Sequence, residues 1–369
     1  MPVPLMDIRG QYAHLLDDVK QAACDVIDSG RFILGPNVRA LEEEVAEAVG
    51  ADHAIAVANG TDAIVLALEA LMVGPGDEVI CPSHTFYATA EAVARAGARP
   101  VFADIDPATF DIDPAAVEAA VTDRTRAIVA VHLCGQPADL PALRDIADRH
   151  GLALVEDAAQ AYGARYDGRP VGTFGDAATL SFFPSKNLPA MGDGGMVLVR
   201  NGDVADRVRM LRFHGSRDKR VFEHIGMNSR LDEMQAAIMR VLLPHVQGWN
   251  EARRAAAARY AELGLGELVG LPREARCTTH VYHLFVVRAA ERDVLASRLR
   301  DAGVGAVPYY ATPLHLQPVF RSLGYRPGDL PHTERAARES LALPMFPTLD
   351  EASQREVVAA VRAAAPAAA

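Results

Sequence analysis

The chain has 369 residues, half of them hydrophobic and 23% charged, with a formal net charge of −11. That length allows two packed domains, and the composition is ordinary for a globular protein. An acidic balance without any run of Lys or Arg argues against nucleic acid or an anionic membrane as partner. The cysteines, Cys24, Cys81, Cys134 and Cys277, are far apart and form no C-x-x-C pair. This argues against a zinc ribbon or a disulfide scaffold and fits a reducing cytosol. Residues 1–7 contain no basic segment followed by an apolar run, and no apolar stretch approaches the roughly 20 residues of a membrane helix. The expectation is a soluble, cytoplasmic protein without a signal peptide.

In chain order, residues 12–50 read as two helices separated by the glycines and proline of Ser29 to Pro36. From residue 53 to about 199, β-rich runs alternate with helical ones. Strands are predicted over 53–57, 78–81, 99–103, 127–131 and 152–155, and helices over 61–72, 89–96, 114–121 and 140–150. Such alternation predicts an α/β fold, a mostly parallel sheet flanked by helices. Beyond residue 200 the pattern predicts helices over 203–213 and 231–263, the second bent at Pro244. A β-run over 281–287, another helix and an extended piece at 304–307 follow. Together they predict a large domain over 1–245 and a smaller α+β domain over 246–369, with the N-terminal helices able to pack on the smaller one. Residues 363–369 read as a frayed tail.

Three features fall just past strand ends, where doubly wound sheets bind ligands. Lys186 follows the strand-like Ser181-Phe182-Phe183 and precedes Gly192-Asp193-Gly194-Gly195. Read alone, it is either a loop lysine that snorkels to water or an amine that forms a Schiff base with a carbonyl group. Asn59-Gly60-Thr61-Asp62 opens a helix. Its free N–H groups suit an anion, or its side chains merely cap the first turn. No G-x-G-x-x-G is present, so a dinucleotide is not the natural ligand. Glu156-Asp157 ends a strand and could face a protonated ring nitrogen, a metal or a turn; no histidine–carboxylate spacing around it suggests a metal. An anion cradle, a carboxylate and a Schiff-base lysine are the partners that pyridoxal 5′-phosphate (PLP) requires for its phosphate, pyridine nitrogen and aldehyde.

Longer motifs carry a resemblance. They are Gly-Arg-Phe-Ile-Leu-Gly-Pro at 30–36, Asn-Gly-Thr-Asp-Ala at 59–63, Glu-Asp-Ala-Ala-Gln-Ala at 156–161 and Ser-Phe-Phe-Pro-Ser-Lys at 181–186. Gly-Met-Asn-Ser-Arg-Leu-Asp-Glu-Met-Gln-Ala-Ala at 226–237 and Pro-Leu-His-Leu-Gln-Pro at 313–318 complete the set. Through them the chain resembles the DegT/DnrJ/EryC1/StrS family of PLP-dependent sugar aminotransferases, which have the aspartate-aminotransferase fold (fold type I). The resemblance implies that Lys186 holds the cofactor as a Schiff base and that Asp157 keeps its pyridine nitrogen protonated. It places Gln160 near the ring hydroxyl, Phe86 on the ring face, and Gly60, Thr61 and Ser181 at the phosphate. Asn228 resembles an asparagine that reaches the phosphate from a second subunit, which implies a homodimer with composite active sites. His214, Tyr310 and His315 are the candidates for positioning substrate.

The chain departs from its relatives at Pro189, Asp193, Cys134 and Tyr309, and none of these touches the Schiff-base chemistry. Lys186 itself argues against the branch of the family that carries histidine there and catalyses deoxygenation. The implied reaction moves an amino group from L-glutamate to a nucleotide-linked keto-sugar. His224 to Arg230, with Ser229, looks most like members that aminate C-3, which suggests a 3-keto-6-deoxyhexose in amino-sugar biosynthesis. A C-4 enzyme, a keto-cyclitol aminotransferase, a PLP-dependent sugar dehydratase and a PLP-binding regulator are the alternatives.

Overall fold

A computed structural model describes residues 2–364; Met1 and most of the expected tail, residues 365–369, lie outside the described residues. Three helices, α1 (Ile8–Tyr12), α2 (Leu16–Ser29) and α3 (Pro36–Val49), come first. Gly30 and Gly50 end the last two in the left-handed conformation, which glycine adopts without a Cβ clash. The expected alternation then follows as β1 (His53–Val57), α4 (Gly60–Ala70), β2 (Glu78–Pro82), α5 (Tyr87–Arg95) and β3 (Arg99–Ala103). It continues through α6 (Pro114–Ala120), β4 (Thr125–Val131), α7 (Leu140–His150) and β5 (Ala153–Asp157). A short hairpin of β6 (Arg165–Tyr166) and β7 (Arg169–Pro170) precedes β8 (Ala177–Ser181), β9 (Gly195–Val199) and α8 (Gly202–Leu211).

The long helix expected over 231–263 is interrupted where Pro244 stands. It resolves into α9 (Glu233–Leu242), a 3-10 turn at Leu243–His245, and α10 (Val246–Glu262). The remainder is β10 (Thr278–Thr279), β11 (Phe285–Arg288), α11 (Arg292–Asp301), α12 (Pro331–Glu339), β12 (Ser340–Leu343) and α13 (Glu351–Ala364). No helix among the described residues is long and apolar enough to cross a membrane.

The main sheet has the order β1-β9-β8-β5-β4-β2-β3. Strands β3, β2, β4, β5 and β8 pair in parallel, whereas β9 runs against both β8 and β1. Two reversals cancel, so β1 points the same way as β8. The carboxyl ends of β1, β2, β4, β5 and β8 therefore share one edge, and the loops leaving them can build one site. Helix α4 crosses behind β8 and β9 and is packed by α5 and α8. Ala63 to Leu68 are all 2% exposed or less, because a helix apolar on every face must be enclosed on every face. A second apolar cluster gathers Val3, Tyr260, Phe285, Val287, Leu341 and Val357 around the β11–β12 pair. Helix α10 joins the two regions, with Trp249 against the sheet side and Ala256, Ala257 and Tyr260 in the C-terminal cluster.

The expected strand over 281–287 is shorter than predicted, since only Phe285–Arg288 is extended and paired. The N–H of Val281 goes to the carbonyl of Gly135, and that of Leu284 to Cys134, so these groups are already spent on a turn. Tyr282 sits at φ +43°, which a β-ladder does not accommodate. Apolar composition alone did not reveal this competition.

Alternation along β5 separates the adjacent carboxylates, because successive side chains leave opposite faces of a strand. Glu156 is fully buried and accepts the N–H groups of Gly172, Phe174 and Gly175, each at 2.7 Å. His132 adds Nε2 at 3.1 Å from Glu156 Oε2. Its Nδ1 accepts from the Ala138 N–H, so Nε2 carries the proton and the neutral ring donates. Burial raises the Glu156 pKa, but these hydrogen bonds and His132 outweigh it and the net shift is downward. Glu156 thus ties residues 172–175 to the strand that carries Asp157. Glu156→Ala is expected to destabilise the fold by about 3 kcal/mol or more, since several buried donors lose their acceptor together. Urea unfolding measures this, and a loss below about 1 kcal/mol would contradict the role.

Candidate active site

A cavity of about 650 Å³ opens at the shared carboxyl edge, and Gly60, Thr61, Phe86, Asp157, Gln160, Ser181, Lys186 and Tyr310 all line it. Its floor begins at the turn from β1 into α4. Asn59 Oδ1 caps the helix by accepting the Asp62 N–H at 2.8 Å. The N–H groups of Gly60 and Thr61 have no acceptor within the helix and form the positive end of its dipole. Gly60 lies so close to β8 that an added Cβ would stand 2.7 Å from the Ser181 Cβ. Only glycine lets the helix start and the serine hydroxyl form one surface.

Asp157, the last residue of β5, is 5% exposed. It accepts Thr89 Oγ1 at 2.9 Å and the Ala159 N–H at 3.2 Å. Burial raises its pKa, and those hydrogen bonds with the charge of Lys186 offset the rise only in part. Thr89 is itself fixed by Thr85, four residues back and just ahead of α5, at 3.2 Å. Lys186 is half-buried on the 182–194 loop. Burial lowers its pKa to about 8, against the opposing pull of Asp157 and Cys134. Among the described residues no salt bridge joins Lys186 to Asp157, and no side chain hydrogen-bonds its amine.

Gln160 links two walls, with Oε1 accepting from Cys134 N at 2.7 Å and Nε2 donating to the Tyr310 hydroxyl at 3.0 Å. The Tyr310 ring lies 6.2 Å from that of Phe86. Phe86 is 56% exposed, so it is not the core phenylalanine its position between strand and helix would otherwise suggest.

Three candidates fall outside this cavity. His315 is 1% exposed and bonded on both sides, with Nδ1 2.7 Å from Ser83 Oγ and Nε2 3.3 Å from Glu334. It ties the end of β2 to α12 and lines no part of the cavity. His214 is exposed at φ +65° on the 213–228 loop and lines no part of the cavity of its own chain. Asn228 is exposed on the same loop and bridges Phe213. Ser229 anchors that loop, donating to Asp62 at 2.6 Å and accepting from the Ala58 N–H at 3.0 Å. Thr89 and His283 are site residues that motif reading missed. Thr89, on the first turn of the helix that follows Phe86, could have been found from that neighbour; His283 had no local signal.

A cradle of free N–H groups, a buried carboxyl short of positive charge, an unpaired amine and an exposed aromatic ring are the donor set that PLP fits. The site and the α/β fold define the class, a PLP-dependent transferase. Comparison with known proteins narrows it. The profile of the DegT/DnrJ/EryC1/StrS aminotransferase family matches residues 15–362. A "pleiotropic regulatory protein" of Geobacillus stearothermophilus is 52% identical, with 97% of each chain covered. The dTDP-3-amino-3,4,6-trideoxy-alpha-D-glucose transaminase of Streptomyces venezuelae is 47% identical, over 98% of this chain and 95% of that one. The crystal structure of S. venezuelae DesV in complex with a ketimine intermediate superposes with a TM-score of 0.95 at 47% identity, covering 98% of each chain. The chain belongs to the DegT/DnrJ/EryC1/StrS aminotransferase family and is a PLP-dependent aminotransferase.

Proposed function

We propose that this aminotransferase moves an amino group from L-glutamate to a nucleotide-linked keto-sugar in amino-sugar biosynthesis, at C-3 of a 6-deoxyhexose. The observation that carries the reading is the meeting, in one cavity, of an unpaired lysine whose pKa is lowered to about 8 and a buried carboxyl short of positive charge. The Streptomyces relative, named for a 3-amino sugar, supports C-3.

When bound, PLP supplies an electron sink for the pair released as a Cα–H bond of the amino donor breaks. The residues have complementary tasks. Lys186, with a pKa near neutrality, exists in part as the free amine, so it can attach to the cofactor and later accept and return the Cα proton. Asp157, oriented by Thr89, would offer its carboxylate to a cationic ring nitrogen and hold the proton there. The N–H groups of Gly60 and Thr61 and the hydroxyl of Ser181 would bind the phosphate. Phe86 would cover one face of the ring, and Gln160 and Tyr310, hydrogen-bonded to each other, would close the wall towards the substrate.

With PLP added, the protein should show a visible absorbance band that L-glutamate removes and a nucleotide-linked 3-keto-sugar restores, with amino-sugar product found by mass and NMR. A band that glutamate leaves untouched would contradict transamination, and turnover only with a 4-keto-sugar or keto-cyclitol would move the substrate assignment.

We place Asn228 at the phosphate of a second copy of the chain, in a cytoplasmic homodimer with composite sites. Its exposure outside the cavity of its own chain supports this. The same reading keeps a large domain over 1–245 and a small one over 246–369, in keeping with the separate C-terminal apolar cluster. Lys186→Ala and Asn228→Asp should each be defective alone. Mixed under conditions of subunit exchange they should regain activity, because one site of each mixed dimer is then intact. Absence of recovery despite exchange rules out composite sites.

A further inference from the structure

His283 lines the same cavity as Lys186 and Asp157, yet no motif pointed to it. It is 3% exposed, and its Nδ1 is buried without a hydrogen-bonding partner. Buried polar atoms are nearly always paired, so an orphaned ring nitrogen on the wall of a site calls for a ligand or a moving partner. We propose that His283 is a positioning residue for Lys186, a neutral imidazole that accepts a hydrogen bond from the lysine ammonium and holds it within the cavity.

The segment that carries His283 is fastened on three sides. Val281 N donates to the Gly135 carbonyl at 3.0 Å and Leu284 N to Cys134 at 3.3 Å. Asn187, the neighbour of Lys186 in the chain, donates Nδ2 to the Val281 carbonyl at 3.4 Å. From α10, Arg253 Nη1 reaches the carbonyls of Tyr282, His283 and Met345 at 3.4, 3.5 and 3.1 Å. Residues on both sides of the cavity thus fix where the imidazole stands relative to the lysine loop.

The surrounding charges favour the neutral ring. His283 faces Lys186 from the 182–194 loop and Arg253 from α10; burial first, then these two cations, push its pKa well down. Lys186 is faced in turn by Asp157 from β5 and by Cys134 from the 133–135 turn. A neutral imidazole keeps one nitrogen free of a proton, and that nitrogen is an acceptor. Whenever the Lys186 amine is free and protonated, Asp157 attracts it and His283 supplies a second acceptor within the same wall. The amine then stays in place for its next proton transfer.

The inference rests on Lys186 being the group that captures the cofactor, and one assay separates the two. Cofactor-free protein is mixed with PLP across a pH series, and the appearance of the visible band is timed. Only the neutral amine reacts, so the rate in the native protein should rise with a midpoint near pH 8. His283→Phe removes the acceptor, destabilises the ammonium, and should move the midpoint down by at least about half a pH unit, roughly a threefold change in the amine-to-ammonium ratio. His283→Gln retains an acceptor oxygen and should stay close to the native midpoint. A native midpoint in His283→Phe, or equal shifts in both variants, overturns the positioning role. A missing band in the native protein, or one retained by Lys186→Ala, overturns the reading of Lys186 itself. Should His283→Phe not fold, imidazole 15N shifts in native protein and Lys186→Ala decide, since loss of the lysine must shift the His283 signals. Unchanged signals overturn the proposal.

Discussion

Lys186, half-buried, and Asp157, buried, are opposite charges that share one cavity without touching. A buried ion pair recovers part of its desolvation cost by direct contact, and here that contact is not made. The consequence is written in both groups, with the amine shifted down to about 8 and the carboxyl shifted up. Burial thus weakens the charged form of each group, and an aldehyde and a basic ring nitrogen would give each a partner. A cofactor that met both groups would relieve both penalties, and its affinity and its chemistry would draw on the same arrangement.

Keeping the pair apart is the work of the scaffold. Strand β5 directs Asp157 into the cavity and Glu156 to the opposite face, where it organises residues 172–175. The loop bearing Lys186 is tethered one residue on, by Asn187 Nδ2 to Asn250 Oδ1 at 2.6 Å. Asn250 in turn donates to the Tyr162 carbonyl at 2.9 Å. Helix α10 therefore reaches both the lysine loop, through Asn250, and the His283 segment, through Arg253. The double reversal through β9 brings the start of α4 against Ser181, so the anion cradle lies on the same edge.

Much of this was legible in the sequence because it is local. Strands β1 to β5 announce themselves as short apolar runs between helical ones, and the motifs around Gly60, Asp157 and Lys186 lie at strand ends. What escaped is long-range. Glu156 and Asp157 read as an undivided acidic pair until the sheet gave them faces. His315 looked like a substrate contact, but its partner Ser83 lies 232 positions away in the chain. His283 sat inside a run that reads as a strand, and only its backbone bonds to Gly135 and Cys134 reveal a turn facing the site. Such pairings leave no mark in composition or periodicity.

The chain's lysines are Lys20, Lys186 and Lys219, so the central claim reduces to a choice among three lysines. Lys20 is exposed on α2, and Lys219 stands over the ring of Phe213 outside the cavity. Borohydride reduction of the PLP-loaded protein, followed by peptide mass mapping, locates the attachment directly. Modification confined to Lys186 is the expected result, lost in Lys186→Ala. A label on Lys20 or Lys219, or none at all from a protein that binds PLP, would contradict the assignment of Lys186 and the reading of the site built on it.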